Sequence, residues 1–181
     1  MHMYYAALVL PPELNERILP MKQWMREHYG CKVGLKSPAH ITLLPPFWMN
    51  PGLENELRAD MNNFCATQTA FNICTSGFSA FRPRTLFIDV VVDEPLKSLK
   101  RACDAWFRPL EQYGIKIENR PFHPHITIAT RDLHKAAFAE AWMHFKDQEF
   151  DECWAATEVS ILKHNGQRWD VWGRSPLSRE S

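Results

Sequence analysis

Two short stretches of the sequence, HITL at residues 40–43 and HITI at residues 125–128, repeat one pattern: a histidine, an aliphatic residue, a threonine and an aliphatic residue. In a β-strand, residues i and i+2 face one side and the residues between them face the other. Each stretch can therefore direct its histidine and threonine towards a ligand while its aliphatic residues anchor the strand in the core. Two such strands side by side would place two imidazoles and two hydroxyls around a single ligand.

The chemistry of these side chains suits a phosphate group. A histidine titrates at about pH 6.5, so His40 and His125 can provide one neutral and one protonated ring at the same pH. The neutral ring can take a proton from a nucleophile, and the charged ring can give one to a leaving oxygen. The hydroxyls of Thr42 and Thr127 can donate hydrogen bonds to the phosphoryl oxygens. This arrangement needs no metal, and it suits a strained phosphodiester such as a ribose 2′,3′-cyclic phosphate.

Composition indicates a well-filled globular protein without net charge. Apolar residues make up 45% of the 181 residues, and 21 basic residues balance 21 acidic ones. A neutral chain is a poor match for proteins that wrap a long nucleic-acid duplex, because such binding depends on many phosphate contacts. A small nucleotide or an RNA end, held by a few local cations, is compatible with this charge.

Several features predict a location in the cytoplasm. The five cysteines are odd in number and form no C-x-x-C pair, which predicts free thiols in a reducing compartment rather than a disulfide framework or a zinc site. The N-terminus lacks the basic start and cleavage site of a signal peptide. No apolar run reaches the length of a membrane span. We therefore expect a cytoplasmic protein that does not bind a membrane.

The order of the predicted elements indicates an α+β protein. An Asn-Gly turn at residues 165–166 predicts a closing hairpin, and each half of the chain contains one His-x-Thr strand followed by a helix. We expect a single domain over residues 1–181 with two lobes, whose two pseudo-symmetric, mostly antiparallel sheets and outer helices flank a central cleft. The predicted helices begin near Pro12, Asn50, Asp93 and Asp132, and the predicted strands cover residues 4–10, 36–44, 71–75, 85–92, 124–130, 159–162 and 169–172.

Three segments of the chain resemble the two-histidine (2H) phosphoesterase superfamily, in particular its 2′-5′ RNA ligase-like and cyclic phosphodiesterase members. These segments are residues 4–14, residues 38–43 with the first His-x-Thr, and residues 122–129 with the second. The resemblance implies a bilobed fold with a water-filled cleft, and cleavage or formation of 2′-linked phosphodiesters without metal or cofactor. It also implies that the two motif histidines form the acid–base pair and that the two motif threonines hold the phosphate.

Three further residues complete the predicted substrate-binding set. Arg84 precedes a predicted strand and Arg131 follows the second His-x-Thr strand, so both guanidinium groups could reach a phosphate in the cleft. Phe47 follows the first His-x-Thr strand and could stack a base. The histidines at residues 123 and 125 are separated by a proline and have no acidic or cysteine partner at ligand spacing, so we predict no metal site.

The leading functional hypothesis is hydrolysis of 2′,3′-cyclic phosphates, at RNA ends or in nucleotides, to 2′-phosphates. In this hypothesis His125 activates water and His40 protonates the departing 3′ oxygen, although the two sites are nearly symmetric. One alternative is a reversible 2′-5′ RNA ligase activity that uses the same pair, and another is a non-catalytic RNA- or nucleotide-binding module on the same fold. The sequence contains no G-x-x-x-x-G-K-[ST] loop, so we expect no use of ATP. Because one chain carries both motifs, we expect a monomer without an obligate protein partner.

Overall fold

The part of the chain that the structure describes, residues 1–179 of a computed structural model, folds into two antiparallel four-stranded sheets and four α-helices. The first sheet has the strand order β2-β1-β7-β8, and the second has the order β5-β4-β3-β6. The predicted α+β class with two antiparallel sheets is confirmed. The strands are β1 (His2–Val9), β2 (His40–Met49), β3 (Phe71–Phe81), β4 (Thr85–Val90), β5 (His125–Ala129), β6 (Cys153–Ala156), β7 (Glu158–His164) and β8 (Trp169–Pro176), and the helices are α1 (Pro12–Tyr29), α2 (Glu54–Ala66), α3 (Glu94–Phe107) and α4 (Lys135–Phe145).

The strand β2 continues through two prolines, where its pairing with β1 is irregular. We expected this strand to end before Pro45 and Pro46, because proline cannot donate a hydrogen bond to a neighbouring strand. That prediction is wrong: Tyr5 of β1 lies opposite both prolines in a β-bulge, and the pairing continues at Phe47. Because β2 is an edge strand, the missing N–H groups are not needed by a further strand.

The four predicted helices are present, and local sequence signals define several of their ends. Gly30 ends α1 with a positive φ of 71°, the left-handed conformation that glycine favours. The side chain of Asp93 caps α3 by accepting a backbone hydrogen bond from its first turn. The cap predicted at Asp132 is wrong, because α4 begins only at Lys135. The Asp132 carboxylate instead accepts hydrogen bonds from the N–H groups of residues 32–33, and so ties the segment after α1 to the segment after β5.

The short edge strand β6 was not predicted from the sequence. It pairs with the beginning of β3, and this pairing brings Cys74 and Cys153 into a disulfide bond. The prediction of five free thiols is therefore wrong for this pair, because strand pairing joins two cysteines that are 79 residues apart in the sequence. The other three cysteines, Cys31, Cys65 and Cys103, are free and buried, as predicted.

One large hydrophobic core joins the helices to both sheets. Ile41 of β2 and Ile126 of β5 are both fully buried in this core. Because side chains alternate along a strand, the histidine and threonine beside each isoleucine face away from the core. A second, smaller cluster of Tyr5, Ala7 and Leu162 covers the other face of the first sheet. The side of β2 that carries the motif residues is thus the side of this small cluster.

The closing hairpin forms as predicted. The strands β7 and β8 pair in antiparallel register, and the turn between them contains Gly166 with a positive φ of 99°. No helix within residues 1–179 combines the length and apolar character needed to cross a membrane.

Candidate active site

Two edge strands from different sheets carry the duplicated motif. The strand β2 lies at the edge of the first sheet, β5 lies at the edge of the second, and the two strands are neighbours in space. His40 and Thr42 lie on β2, and His125 and Thr127 lie on β5. All four side chains are partly exposed, while the aliphatic residues between them are buried. The alternation predicted from the sequence is therefore present in both strands.

The motif residues line two adjoining cavities, which together we call the cleft. The first cavity has a volume of about 490 Å³ and is lined by His40, Thr42 and Thr127. The second has a volume of about 440 Å³ and is lined by His125 and again by Thr42. The shared threonine places the two imidazoles on neighbouring parts of one depression. The two rings also interact electrostatically, because the charge of His125 lowers the pKa of His40.

The two imidazoles are oriented in the same way. Nδ1 of His40 lies 2.7 Å from the carbonyl oxygen of Pro38, and Nδ1 of His125 lies 2.8 Å from that of His123. A carbonyl oxygen only accepts hydrogen bonds, so we assign the proton of each neutral ring to Nδ1. Nε2 of each ring is then the atom that can accept a proton from a ligand. Each motif thus carries its own orienting carbonyl two residues before the histidine.

The two rings differ in their charged neighbours. Desolvation is the main cause that lowers the pKa of His40 to about 4, and the charges of Lys22 and His125 act in the same direction. The pKa of His125 is also lowered, mainly by desolvation and further by the charge of His123, whereas the hydrogen bond to the backbone of His123 and the carboxylate of Asp89 raise it. Lys22 therefore disfavours a charged ring at His40, and Asp89 favours a charged ring at His125.

Aromatic rings and a carboxylate surround His125. The ring centroids of Phe81 and Phe87 lie 4.9 Å and 5.1 Å from that of His125. Nε2 of His123 lies 3.5 Å from Oδ1 of Asp89, and His123 also lines the second cavity. Asp89 thus lies beside His123 and near His125, and the phenylalanines pack against the His125 ring.

A buried cation, Lys22 of α1, also lines the first cavity. Its side chain is only 5% exposed. Nζ donates a hydrogen bond of 3.0 Å to the backbone oxygen of Ser37, and within residues 1–179 no carboxylate forms an ion pair with it. Desolvation lowers the pKa of Lys22 to about 8. Within residues 1–179, the cleft therefore contains a buried ammonium group without a carboxylate partner.

Aromatic side chains of the first sheet form another wall of the first cavity. Tyr5 and Trp169 both line it, and their ring centroids lie 4.6 Å apart in an edge-to-face arrangement. The Tyr5 ring also lies 4.9 Å from that of His40, and the ring of His164 lies 5.0 Å from that of Trp169. Burial raises the pKa of Tyr5, so its hydroxyl stays protonated. Tyr5 is buried and Trp169 is partly exposed, so the Trp169 ring is the one on which a nucleobase can stack.

The structure separates the three other predicted binding residues. Arg131 is exposed and lines the first cavity. Arg84 does not line that cavity, but it lines a neighbouring groove together with Arg131 and Lys135. Phe47 is 3% exposed and stacks on Tyr4 in the main core. The structure therefore corrects the prediction for Phe47, which is a core residue and not part of the cleft.

Several cleft residues were not predicted from the sequence, although one of them carries a recognisable signal. Leu14, Ile18 and Lys22 follow each other at intervals of four residues, so the lysine interrupts the buried stripe of α1. A lysine at such a position indicates a specific role, because lysine is rarely fully buried. Tyr5 and Trp169 gave no comparable signal, since aromatic residues in strands are most often part of a core.

Comparison with known proteins identifies the family and agrees with the fold. A family model described as the 2′-5′ RNA ligase superfamily matches residues 10–168 of this chain. A candidate phosphoesterase of Geobacillus thermodenitrificans is 28% identical over 152 residues, which cover 81% of this chain and 82% of that protein.

Two crystal structures share the fold over almost their whole length. TT0787 of Thermus thermophilus has a TM-score of 0.70 at 20% identity, with 100% of both chains covered. LigT of E. coli in complex with 3′-AMP has a TM-score of 0.65 at 21% identity, with 98% of both chains covered. These two structures establish the fold, and the family match spans most of the sequence. The chain therefore belongs to the 2′-5′ RNA ligase superfamily of two-histidine phosphoesterases.

Proposed function

We propose that this protein is a metal-independent phosphodiesterase that opens 2′,3′-cyclic phosphates, at RNA ends or in nucleotides, to 2′-phosphates. Membership of the family supports phosphoesterase activity in general. The observation that carries the specific proposal is the pair of His-x-Thr strands around one cleft, with His40, Thr42 and Thr127 in the first cavity and His125 in the second. In this proposal the two threonine hydroxyls donate hydrogen bonds to the non-bridging phosphoryl oxygens.

The proposed reaction uses one histidine as base and the other as acid. Nε2 of His40 takes a proton from a water molecule, and the water oxygen forms a bond to phosphorus. The bond between phosphorus and the 3′ oxygen breaks, and His125 gives its proton to that oxygen. The products are a 2′-phosphomonoester and a free 3′-hydroxyl. Each of these proton transfers contributes a factor of roughly 10² to 10⁴ to the rate.

The charged neighbours of the two rings support this assignment, which reverses the one favoured from the sequence alone. A base must be neutral before the reaction, and the charge of Lys22 helps to hold the pKa of His40 low. An acid must carry a proton, and the carboxylate of Asp89 raises the pKa of His125 against the lowering effects of desolvation and of the His123 charge. The negative charge of a bound phosphate also favours protonation of His125.

A basic groove beside the first cavity supports RNA as the substrate. Thr130 and Arg131 line both the first cavity and the groove, so the two are continuous. Arg84, His134 and Lys135 also line the groove, and within residues 1–179 no carboxylate does so. Exposed cations along one track attract the backbone phosphates of nucleotides next to the one in the cleft. The predicted substrate-binding roles of the two arginines are part of this proposal.

Turnover of a nucleoside 2′,3′-cyclic phosphate in the presence of a chelator tests the proposed reaction. We expect hydrolysis at the same rate with and without EDTA, and a product that retains a 2′-phosphate. A 3′-phosphate product would contradict the proposed leaving group. Binding without turnover would indicate the alternative from the sequence, a non-catalytic nucleotide-binding module.

The role of the groove is tested by comparing a short and a long substrate. We expect the double variant with Arg84→Ala and Lys135→Ala to lower kcat/KM about tenfold for an RNA oligonucleotide that ends in a 2′,3′-cyclic phosphate, and to reduce the salt dependence. The same variant should leave turnover of the cyclic mononucleotide unchanged. The matched control, Lys97→Ala with Arg101→Ala, removes two exposed cations of α3 that lie outside the groove. An equal loss for both substrates, or no loss for the oligonucleotide, would contradict the role of the groove.

A reversible 2′-5′ RNA ligase activity is a second candidate, favoured by the description of the matching family. In that reaction a 5′-hydroxyl replaces water, its oxygen forms the bond to phosphorus, and the 3′ oxygen leaves, which gives a 2′-5′ linkage. Incubation of one RNA with a 2′,3′-cyclic phosphate end and another with a 5′-hydroxyl end, without ATP, tests it. A joined product with a 2′-5′ linkage would support ligation, and hydrolysis alone would exclude it under those conditions.

A further inference from the structure

Lys22 lines the first cavity and uses only part of its hydrogen-bonding capacity. An ammonium group has three N–H donors, and Nζ uses one of them for the backbone oxygen of Ser37. The side chain is 5% exposed, so only water inside the cavity can reach the other two donors. Burial of an ammonium group without a counter-ion is unfavourable. An anion that entered the cavity would supply both the missing charge and the missing acceptors.

The other groups around the cavity do not supply that anion. Within residues 1–179, no carboxylate lines the first cavity, and desolvation alone accounts for the lowered pKa of Lys22. The lining is neutral or positive, and it includes the hydroxyls of Thr42 and Thr127. The titratable groups that line the same cavity from the other elements are Tyr5 of β1, His40 of β2, Arg131 after β5 and His164 of β7.

We propose that Lys22 binds a non-bridging oxygen of the phosphoryl group in the cleft, an inference that rests on the proposed function. Thr42 and Thr127 can only offer neutral donors to that group, whereas Lys22 offers a full positive charge from the buried side. The phosphoryl oxygens gain negative charge when the nucleophile attacks. A fixed ammonium group therefore stabilises the transition state more than the ground state, which raises kcat.

The backbone around Lys22 fixes its position. The turn at Val33–Lys36 packs so closely on β5 that a Cβ atom on Gly34 would collide with the carbonyl oxygen of Ile128. The same Cβ would lie 3.9 Å from Cδ of Lys22, so this turn also packs along the aliphatic part of the lysine. The hydrogen bond to Ser37 holds Nζ beside the segment that leads into β2. Such a restrained cation needs little reorganisation when a phosphate binds.

Binding of inorganic phosphate, followed by NMR, tests the proposal without any turnover. We expect phosphate to bind the wild-type protein, and Lys22→Met to weaken the binding at least tenfold. The same variant should raise the pKa of His40, because it removes a nearby positive charge. Lys22→Arg should retain part of the phosphate binding. The control Lys36→Met removes an exposed lysine of the same turn that does not line the cavity, and it should change neither quantity.

Titration of Lys22 itself in the wild-type protein covers the case in which the variants do not fold. We expect the pKa of Lys22 to rise from about 8 when phosphate saturates the site, because the anion stabilises the charged form. An unchanged pKa, wild-type phosphate affinity in Lys22→Met, or no phosphate binding by the wild-type protein would overturn the proposal. If phosphate binding depends on Lys22 but cyclic phosphates are not hydrolysed, the proposed function fails and the anion site remains.

Discussion

Asp89 distinguishes the two histidines, which are otherwise oriented alike. It lies opposite His125 in the pairing of β4 with β5, and its charge raises the pKa of that histidine. His40 has no carboxylate in the corresponding place among the groups that affect its pKa, and its charged neighbours are both basic. The assignment of His40 as base and His125 as acid depends on this carboxylate beside His125 and on the charge of Lys22 beside His40.

The pH profile of the variant Asp89→Asn tests the assignment. Loss of the carboxylate lowers the pKa of His125, so the acid loses its proton at a lower pH. We expect the alkaline limb of the kcat/KM profile to move down by up to about one pH unit, while the acidic limb set by His40 stays in place. The control Asp151→Asn changes an exposed carboxylate outside the cleft. A shift of the acidic limb alone would show that the two roles are the other way round.

Lys22 should lower the stability of the free protein. Its pKa falls from 10.5 to about 8 on folding, so the unfolded chain binds more protons between these values. Stability should therefore rise as the pH increases from about 8 to about 10.5. We expect Lys22→Met to raise the free energy of unfolding at pH 7 by about 1 to 3 kcal/mol and to remove this pH dependence. Denaturant unfolding at pH 7 and pH 10 measures both effects, and destabilisation at pH 7 would contradict the account.

At the level of single residues, the sequence predicted the four motif positions but not the full lining of the cleft. Side chains alternate along a strand, so Phe47 is expected on the same side of β2 as Ile41. The pairing of β2 with β1 has two irregularities between these residues, but Phe47 still lies on that side. Counting along the strand would therefore have predicted a core residue. No counting rule identifies Trp169 as a cleft residue, because its place depends on how β8 is arranged against the rest of the first sheet.

Secondary-structure elements were predicted correctly where a strong local sequence signal marks their ends. Gly30 and Asp93 define helix ends through their own conformation and side chain, and both were recognisable in the sequence. The predicted end of β2 before Pro45 was wrong, because a proline disrupts a strand only where a neighbouring strand needs its N–H group as a hydrogen-bond donor. The strand β6 was not predicted because it has only four residues, too few to show the alternation of apolar and polar side chains that identifies a strand.

The turn at Val33–Lys36 contributes Val33 and Gly34 to the lining of the first cavity. We expect Gly34→Ala to cost about 1 to 3 kcal/mol of stability, because the added methyl group collides with the backbone of Ile128 and neither strand nor turn can move freely. The midpoint temperature of thermal unfolding and kcat/KM should both decrease. Gly173→Ala is the matched control, since its nearest neighbouring atom would lie 3.8 Å away. Equal stability of the two variants would show that the turn is not tightly packed.

On the scale of the whole molecule, the cleft lies where the edges of the two sheets meet. Neither sheet contains a complete site, because each contributes one histidine and one threonine on an edge strand. The duplication in the sequence predicted two lobes around a cleft. It could not predict which edges would meet, since strand order is decided by contacts between distant segments. We propose, as the sequence led us to expect, that a single chain is the active unit.

The disulfide between β3 and β6 should affect stability but not activity. It lies at the edge of the second sheet opposite to β5, and neither cysteine lines the cleft. We expect the double variant with Cys74→Ser and Cys153→Ser to lose about 2 to 4 kcal/mol of stability and to keep the wild-type kcat/KM. Denaturant unfolding and steady-state kinetics measure the two quantities. A large loss of activity in the folded variant would show that the second sheet transmits strain to the cleft.

The central claim is that both His-x-Thr pairs act on one phosphate. The most direct test is to measure kcat/KM with a nucleoside 2′,3′-cyclic phosphate for His40→Ala, His125→Ala and the double variant. We predict that each single variant loses a factor of about 10² to 10⁴ and that the double variant is less than about tenfold worse than the poorer single one, because the two groups act as a unit. Wild-type activity in either single variant, or losses that multiply fully in the double variant, would contradict the account.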